Sequence, residues 1–487
     1  MLLLNLYPEI YYYLKSIFLI EDLLINFHIS DYIIVVLYFG VVLFIGLKSG
    51  NKTNSKIDYI VASRRITLPA FVATLVSSFY GGILGVGEFT YRFGISSWFL
   101  NAFPYYLFIT IFAFSLASKI RKTKLLSIPE KLNSSYGKKV SVTGAILIIL
   151  LVTPAPYLYM LGIIIQLFTG WELWLVMLSI LIISSFALFR GGFKSNVNIN
   201  ILEFFMMFAG FAIIIPFCIS EIGSPEFLLL NLPESHLNLT GNHTIQYLIV
   251  WFIIGAWALV DPTFHQRCYA AESEKTAKKG ILISLLFWFI FDFMTTFAGL
   301  YAFYYLKGIE NPVMSYPILA NMILPPVAKG FFFLGLIATI MSTFNSNLFI
   351  SAVTIGNDIL PGIRKADRVV NSLSKIGIII TGIITFVLPI LMPSVVQIWY
   401  TVGSLTIPAL LISVVSSYSE KFKVNNCFIF TSMLLSFSIS LFSLIYGSIR
   451  VLNGSPQYIA GIEPIYPGML AGFSVYTAGL FYKLFKK

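Results

Sequence analysis

Thirteen stretches of this chain are each apolar and long enough to cross a lipid bilayer, and little sequence remains between them. They lie near 32–47, 67–92, 96–118, 140–167, 171–189, 196–219, 245–264, 280–305, 330–357, 373–392, 396–418, 426–447 and 464–483. A spanning helix needs about 20 apolar residues. Hydrocarbon offers a backbone no partner, so segments of this kind must satisfy their own hydrogen bonds as helices. Charged residues make up 11% of the chain, against about 25% in soluble domains. The expected fold class is an all-α polytopic membrane protein with about 13 transmembrane helices. The connections leave no room for a separate soluble catalytic domain.

A net charge of +11 invites a nucleic-acid reading, but the distribution of charge rejects it. If the N-terminus starts outside, the odd-numbered connections and the C-terminus hold 27 of the 32 Lys and Arg residues. That asymmetry is the positive-inside rule, and it predicts N-terminus out and C-terminus cytoplasmic, in a plasma (inner) membrane. Residues 1–30 are Leu- and Tyr-rich but interrupted by Glu9, Lys15, Glu21 and Asp22. They lack a basic start and a small-residue cleavage site, so an external or interfacial amphipathic segment is expected there rather than a signal peptide. Residues 31–487 form the transmembrane domain. Cys218, Cys268 and Cys427 show no CxxC spacing, and the four histidines do not cluster. These residues give no metal site, and no cofactor is expected.

Within these apolar stretches, the run from Ile337 to Asn347 carries Thr339, Ser342 and Thr343 at i, i+3 and i+4. Their three oxygens share one helix face. Hydroxyls lining a membrane helix can bond back to carbonyls four residues earlier, or they can hold an ion. A face without formal charge suits a monovalent cation better than a divalent one. The second stretch is interrupted in its middle by Ser77, Ser78, Phe79, Tyr80, Gly81 and Gly82, and the seventh by Gly255 through Pro262. Pro262 lacks an amide donor and disturbs the turn before it. Two interrupted spans five apart point to a transporter of inverted repeats whose freed carbonyls meet the cargo.

Several further side chains are candidates for the solute path or its gates. Phe79, Tyr80, Trp251, Trp257 and Phe264 fall on the two interrupted spans and can stack on a solute. Asp261 can line the path, or can act as a cap paired with Arg267. Asp292 lies inside an aromatic span, where a carboxylate is a functional candidate by default. Glu88 and Arg92, at i and i+4, make either an exposed ion pair or an outer gate.

Five motifs in order resemble the sodium/solute symporter family, relatives of the sodium–glucose and sodium–proline cotransporters. They are Asp31-Tyr32, Ser55 through Arg64, Gly191-Gly192-Phe193-Lys194, Asp261-Pro262 with Gln266-Arg267 and Ala270-Ala271, and Met341-Ser342-Thr343 followed by Asn357-Asp358. The resemblance implies a leucine-transporter-type core of two inverted five-helix repeats, about 67–220 and 245–418. It implies a sodium site formed by the carbonyls of Leu75 and Ser78 with Thr339, Ser342 and Thr343; relatives more often carry alanine at position 339. Some relatives place an aspartate where this chain has Asn200, so Asn200, Glu203 and Asp292 become candidates for a second ion or a proton. Gly82 and Thr263 stand where sugar-carrying relatives have polar pocket groups, which argues against a hexose. The expected function is sodium-coupled symport of a small organic solute by alternating access, without enzymatic activity. The alternatives are a proton-coupled or uncoupled carrier on the same scaffold and, with no convergent His/Asp or metal constellation to support it, a membrane-embedded transferase. The expected partners are sodium, the solute and the bilayer, with no nucleic acid and no obligate protein partner.

Overall fold

The computed structural model describes residues 25–49, 56–360, 367–391, 395–452 and 455–485. The interfacial segment expected over 1–30 therefore lies almost wholly outside the described residues. The described chain is helical apart from a two-stranded hairpin, Val451–Leu452 with Ser455–Pro456. Its long helices are α1 (Ile29–Ser49), α2 (Leu68–Phe79), α3 (Ile83–Phe93), α4 (Phe103–Ser115), α5 (Lys138–Leu151), α6 (Ala155–Thr169) and α7 (Leu173–Glu221). They continue with α8 (Ile245–Gly255), α9 (Trp257–Val260), α10 (Pro262–Ala270), α11 (Glu274–Tyr305), α12 (Ala328–Val353), α13 (Asp367–Leu391), α14 (Val395–Ser417), α15 (Asn426–Ile449) and α16 (Ile465–Phe485). Among the described residues, nine helical segments are long and apolar enough to span a bilayer, or ten when the bent α2–α3 pair is taken as one. Shorter apolar helices lie at Leu173–Phe186 and Leu373–Pro389. The expected thirteen crossings are not reached on that count.

Both interruptions expected from sequence are present. Between α2 and α3 the axis bends by 56°. The second break splits one apolar segment into α8, α9 and α10, with Asp261 in extended conformation at the start of α10. Pro262 occupies the first turn of α10, where its missing donor is harmless. Asp261 caps that helix, its Oδ1 accepting from Thr263 N at 2.7 Å.

α12 is the hub. Every residue from Phe332 to Val353 is buried, so this hydroxyl-rich helix meets protein rather than lipid along most of its length. It packs on α1, α2 and α7. Asp31 anchors its start from across the chain, its Oδ1 accepting from Val327 N (2.8 Å) and Gly330 N (3.1 Å). α7 is kinked at Gly192, whose φ of 56° and whose approach to the Tyr59 ring, 2.5 Å from where a Cβ would stand, both demand glycine.

The two ends of the bundle are closed differently. At one end, the connection after α7 lies over α3. His236 accepts at its carbonyl from Ile95 N (2.8 Å), its Nε2 is 3.1 Å from Tyr91 O, and its ring stacks on Phe303 at 3.6 Å. Burial there lowers its pKa below the usual 6.5. At the other end, Ser127 Oγ donates to Asp358 Oδ1 at 2.9 Å, tying the basic loop to the helical turn that follows α12.

Candidate functional site

α2 and α12 cross where the first break begins. Thr343 Oγ1 of α12 donates to the Ser77 carbonyl of α2 at 3.5 Å. Gly81 makes this approach possible, since a Cβ there would stand 2.3 Å from Thr343 Oγ1. Leu75, Ser78, Thr339, Ser342 and Thr343 are all buried. Their hydroxyls divide into two groups. Ser78 Oγ donates to Thr74 O (2.6 Å) and Thr339 Oγ1 to Gly335 O (2.6 Å), so both bond back within their own helices. Ser342 and Thr343 instead face other elements. With its amide oriented to satisfy both its oxygen and its nitrogen, Asn200 of α7 donates to Ser342 Oγ at 3.3 Å and to Glu203 Oε2 at 3.0 Å.

This amide belongs to a polar network extending away from the crossing. Asn200 also accepts from Arg267 Nη2 (3.3 Å) and Thr74 Oγ1 (2.8 Å). Glu203 accepts from the Tyr38 hydroxyl at 3.0 Å. Arg267, fully buried, donates to Ser346 Oγ at 3.1 Å and lies over the Phe193 ring at 5.1 Å. It makes no ion pair within 4.0 Å among the described residues, so the expected pairing of Asp261 with Arg267 is not formed. Nor is Arg267 a loop cation; it sits inside the bundle and carries no weight in the charge asymmetry of the connections.

Beside the crossing lies a cavity of about 110 Å³ walled by α2, α3, α4 and α11, the second broken span and α14. Of the expected solute or gate residues, Phe79, Tyr80, Gly82, Trp251, Trp257 and Asp261 line it, as do Ser78, expected at the sodium site, and Asp292, expected at a second-ion or proton site. Ser77, Gly81, Glu88 and Phe264 do not. Ser77 Oγ turns to Ala73 O (3.0 Å). Phe264 is wholly buried against Phe79, Phe112 and Trp288. Glu88 is buried in α3 and pairs with the half-exposed Arg92 at 3.2 Å. Asp292 is not free in a lipid-facing span: the Tyr80 and Tyr106 hydroxyls donate to its two oxygens. It and the Asn200–Glu203 pair belong to separate clusters, on the cavity wall and behind the crossing.

The sequence reading missed Tyr105, Tyr106, Tyr157, Trp288 and Trp399 on the cavity wall. Only the glycines betrayed one of them. A Cβ on Gly82 would stand 1.9 Å from Trp399, so Gly82 is bare to receive that ring rather than to open a polar pocket.

The family model of sodium:solute symporters matches residues 59–428. The chain belongs to that family. Curated relatives of this chain include sodium-coupled monocarboxylate transporter 2 of Mus musculus, 23% identical over 357 residues, covering 66% of this chain and 57% of the relative. Sodium-coupled monocarboxylate transporter 1 of Homo sapiens is 25% identical over 375 residues, covering 70% and 60% respectively. The human sodium/iodide cotransporter is 23% identical over 360 residues, covering 67% and 54%. The match thus spans under two thirds of these relatives' length. Among solved structures, a substrate-bound, outward-open Na+-coupled sialic acid symporter superposes with TM-score 0.78 at 15% identity, covering 94% of this chain and 98% of the other. Mhp1 in a closed conformation follows at TM-score 0.60, 13% identity, 89% and 95% coverage. The chain shares its helical fold with both.

Proposed function

We propose that this symporter-family chain moves a small organic solute across its membrane together with sodium, by alternating access, in a plasma (inner) membrane with the N-terminus outside. The observation that carries this reading is the contact of Thr343 with the Ser77 carbonyl across a glycine-bared crossing. Carbonyls released at the end of α2 and hydroxyls free on α12 make a neutral oxygen cradle suited to an alkali ion. Ser342 and Thr343 supply its hydroxyl ligands and Leu75 and Ser78 its carbonyls. Thr339, whose hydroxyl is committed to Gly335, offers its main-chain oxygen alone.

Sodium held there would tie the broken helix to the buried hub and fix the cavity wall at Ser78 and Thr343, both of which line the solute cavity. Occupancy of one site would then raise affinity at the other, and reciprocally. Each sodium moving inward through 100 mV releases about 2.3 kcal/mol before any concentration gradient is counted. The molecule acts as a carrier, with no chemical step. Purified protein in proteoliposomes tests this: an imposed sodium gradient should drive solute accumulation that an equal potassium gradient does not.

One observation favours a second reading. Glu203 is a buried carboxyl joined to Ser342 through Asn200, so a proton on Glu203 could accompany or replace sodium. Uptake driven by a pH gradient in sodium-free medium would establish that reading and displace the first.

A further inference from the structure

Two carboxylates and no cationic side chain line the central cavity: Asp261 and Asp292 face it, and no Lys or Arg is among its described wall residues. The buried guanidinium nearest in sequence, Arg267, is engaged by Thr74, Ser346 and Asn200 outside that wall. Asp261 sits at the N-terminus of α10, its Oδ1 accepting from the Thr263 amide. The Tyr80 and Tyr106 hydroxyls donate to the two oxygens of Asp292.

Nine aromatic residues share the wall with Ser78, Asn101, Thr263, Thr343, Asn347 and a few aliphatic side chains. Trp257, Tyr157 and Trp399 belong to three different elements and converge on the same space. Rings gathered around a small void attract a cation through their π faces, most strongly an alkylated ammonium. Trp251, also on the wall and 1% exposed, keeps its Nε1 without a hydrogen bond of ordinary length, the Tyr247 ring lying alongside.

Resting on the symport reading above, we infer that the solute is a small organic ammonium compound, its cationic head held between Asp261, Asp292 and the aromatic wall. An anionic solute would meet two carboxyl groups and the negative faces of the rings, with no cationic side chain among the described wall residues to hold it. With one sodium, each cycle would carry two positive charges inward for a simple ammonium ion and one for a zwitterion.

The test uses the purified full-length chain and thermal unfolding in sodium or potassium chloride. Choline represents a fixed cation, glycine betaine a zwitterion, and lactate, pyruvate and iodide the anions. Choline or betaine should raise the unfolding midpoint in sodium, and the anions should not. Asp261→Asn, which preserves the cap on Thr263, and Asp292→Asn, which can still accept from a phenol, are read separately. Each should raise the concentration of choline or betaine needed for half its shift at least tenfold. Stabilisation by an anion, by none of the ammonium compounds, or equally in both Asn variants and the parent overturns the inference. A shift with choline that is identical in sodium and potassium instead refutes sodium coupling and leaves the solute class standing. Charge per solute in proteoliposomes then separates cation from zwitterion.

Discussion

The two broken spans meet the same cavity but are broken by opposite means. The α2–α3 break is made by absence: Gly81 and Gly82 have no side chains, and Thr343 and Trp399 occupy the space a Cβ would need. The α9–α10 break is made by presence: Pro262 ends one hydrogen-bond ladder and Asp261 starts the next. The first break therefore offers main-chain oxygen to a partner helix, whereas the second puts a charged side chain on the cavity wall. A neutral cradle suits a bare ion, and a carboxylate suits a charged solute group. Under the proposed function, a division of labour between ion and solute would follow from how each helix is interrupted.

The sharpest way to break this comparison is at the crossing. Replacing Ser342 and Thr343 together by alanine removes the two hydroxyls that face away from their own helix. A hydrogen bond or ligand contact to a charged group contributes about 1.5–3 kcal/mol, so the pair should weaken sodium by about 3 kcal/mol, roughly a hundredfold in the sodium concentration for half-maximal uptake. Unchanged sodium dependence in the double variant would remove the cradle from the mechanism.

Next is the glycine that makes the first break possible. Gly82→Ala drives a methyl into Trp399, and overpacking of this kind typically costs 1–3 kcal/mol. Thermal unfolding should show the loss, and adding Trp399→Leu should restore most of it. A loss that persists in the double variant would mean that Gly82 serves chain flexibility instead. At the second break the corresponding pair is Asp261→Ala against Asp261→Asn. Removing a cap costs about 1 kcal/mol, which an asparagine largely retains. Stability should therefore fall in the alanine variant alone, whereas solute binding should fall in both.

Much of this arrangement was legible in the chain. Spacing placed Thr339, Ser342 and Thr343 on one face, and turn residues located both breaks, because these depend on local periodicity and backbone chemistry. Which hydroxyls stay at home was not legible. Thr339 bonds to Gly335 and Ser342 reaches towards Asn200 only because of where α7 packs, a contact more than 130 residues away in sequence. The same distance hid Tyr106 as the second partner of Asp292 and left Arg267 misread as a partner for Asp261. Aromatics are so common here, 72 of Phe and Tyr alone, that composition could not single out Trp399. Gly82 became informative about Trp399 only once the ring was seen against it. Asp31 is a similar case: one residue read as the opening of a span turned out to cap the start of α12.

The smallest effect belongs to the end of α3, where the His236 ring is packed on Phe303 against the Tyr91 carbonyl. Burial holds this histidine's pKa below its ordinary 6.5, so the folded contact resists protonation. The contribution is complete above the unfolded value and is lost as pH falls through it towards the lowered folded value. His243, also lowered by burial, stacks on Phe93 from the same connection and titrates alongside it, so wild type must be compared with His236→Gln. The unfolding midpoint of wild type should fall further between about pH 7.5 and 5.5 than that of the variant, whose amide cannot gain a charge. If both fall equally, the connection is not latched through His236, and closure of this end rests on the Ile95 amide and its bond to the His236 carbonyl.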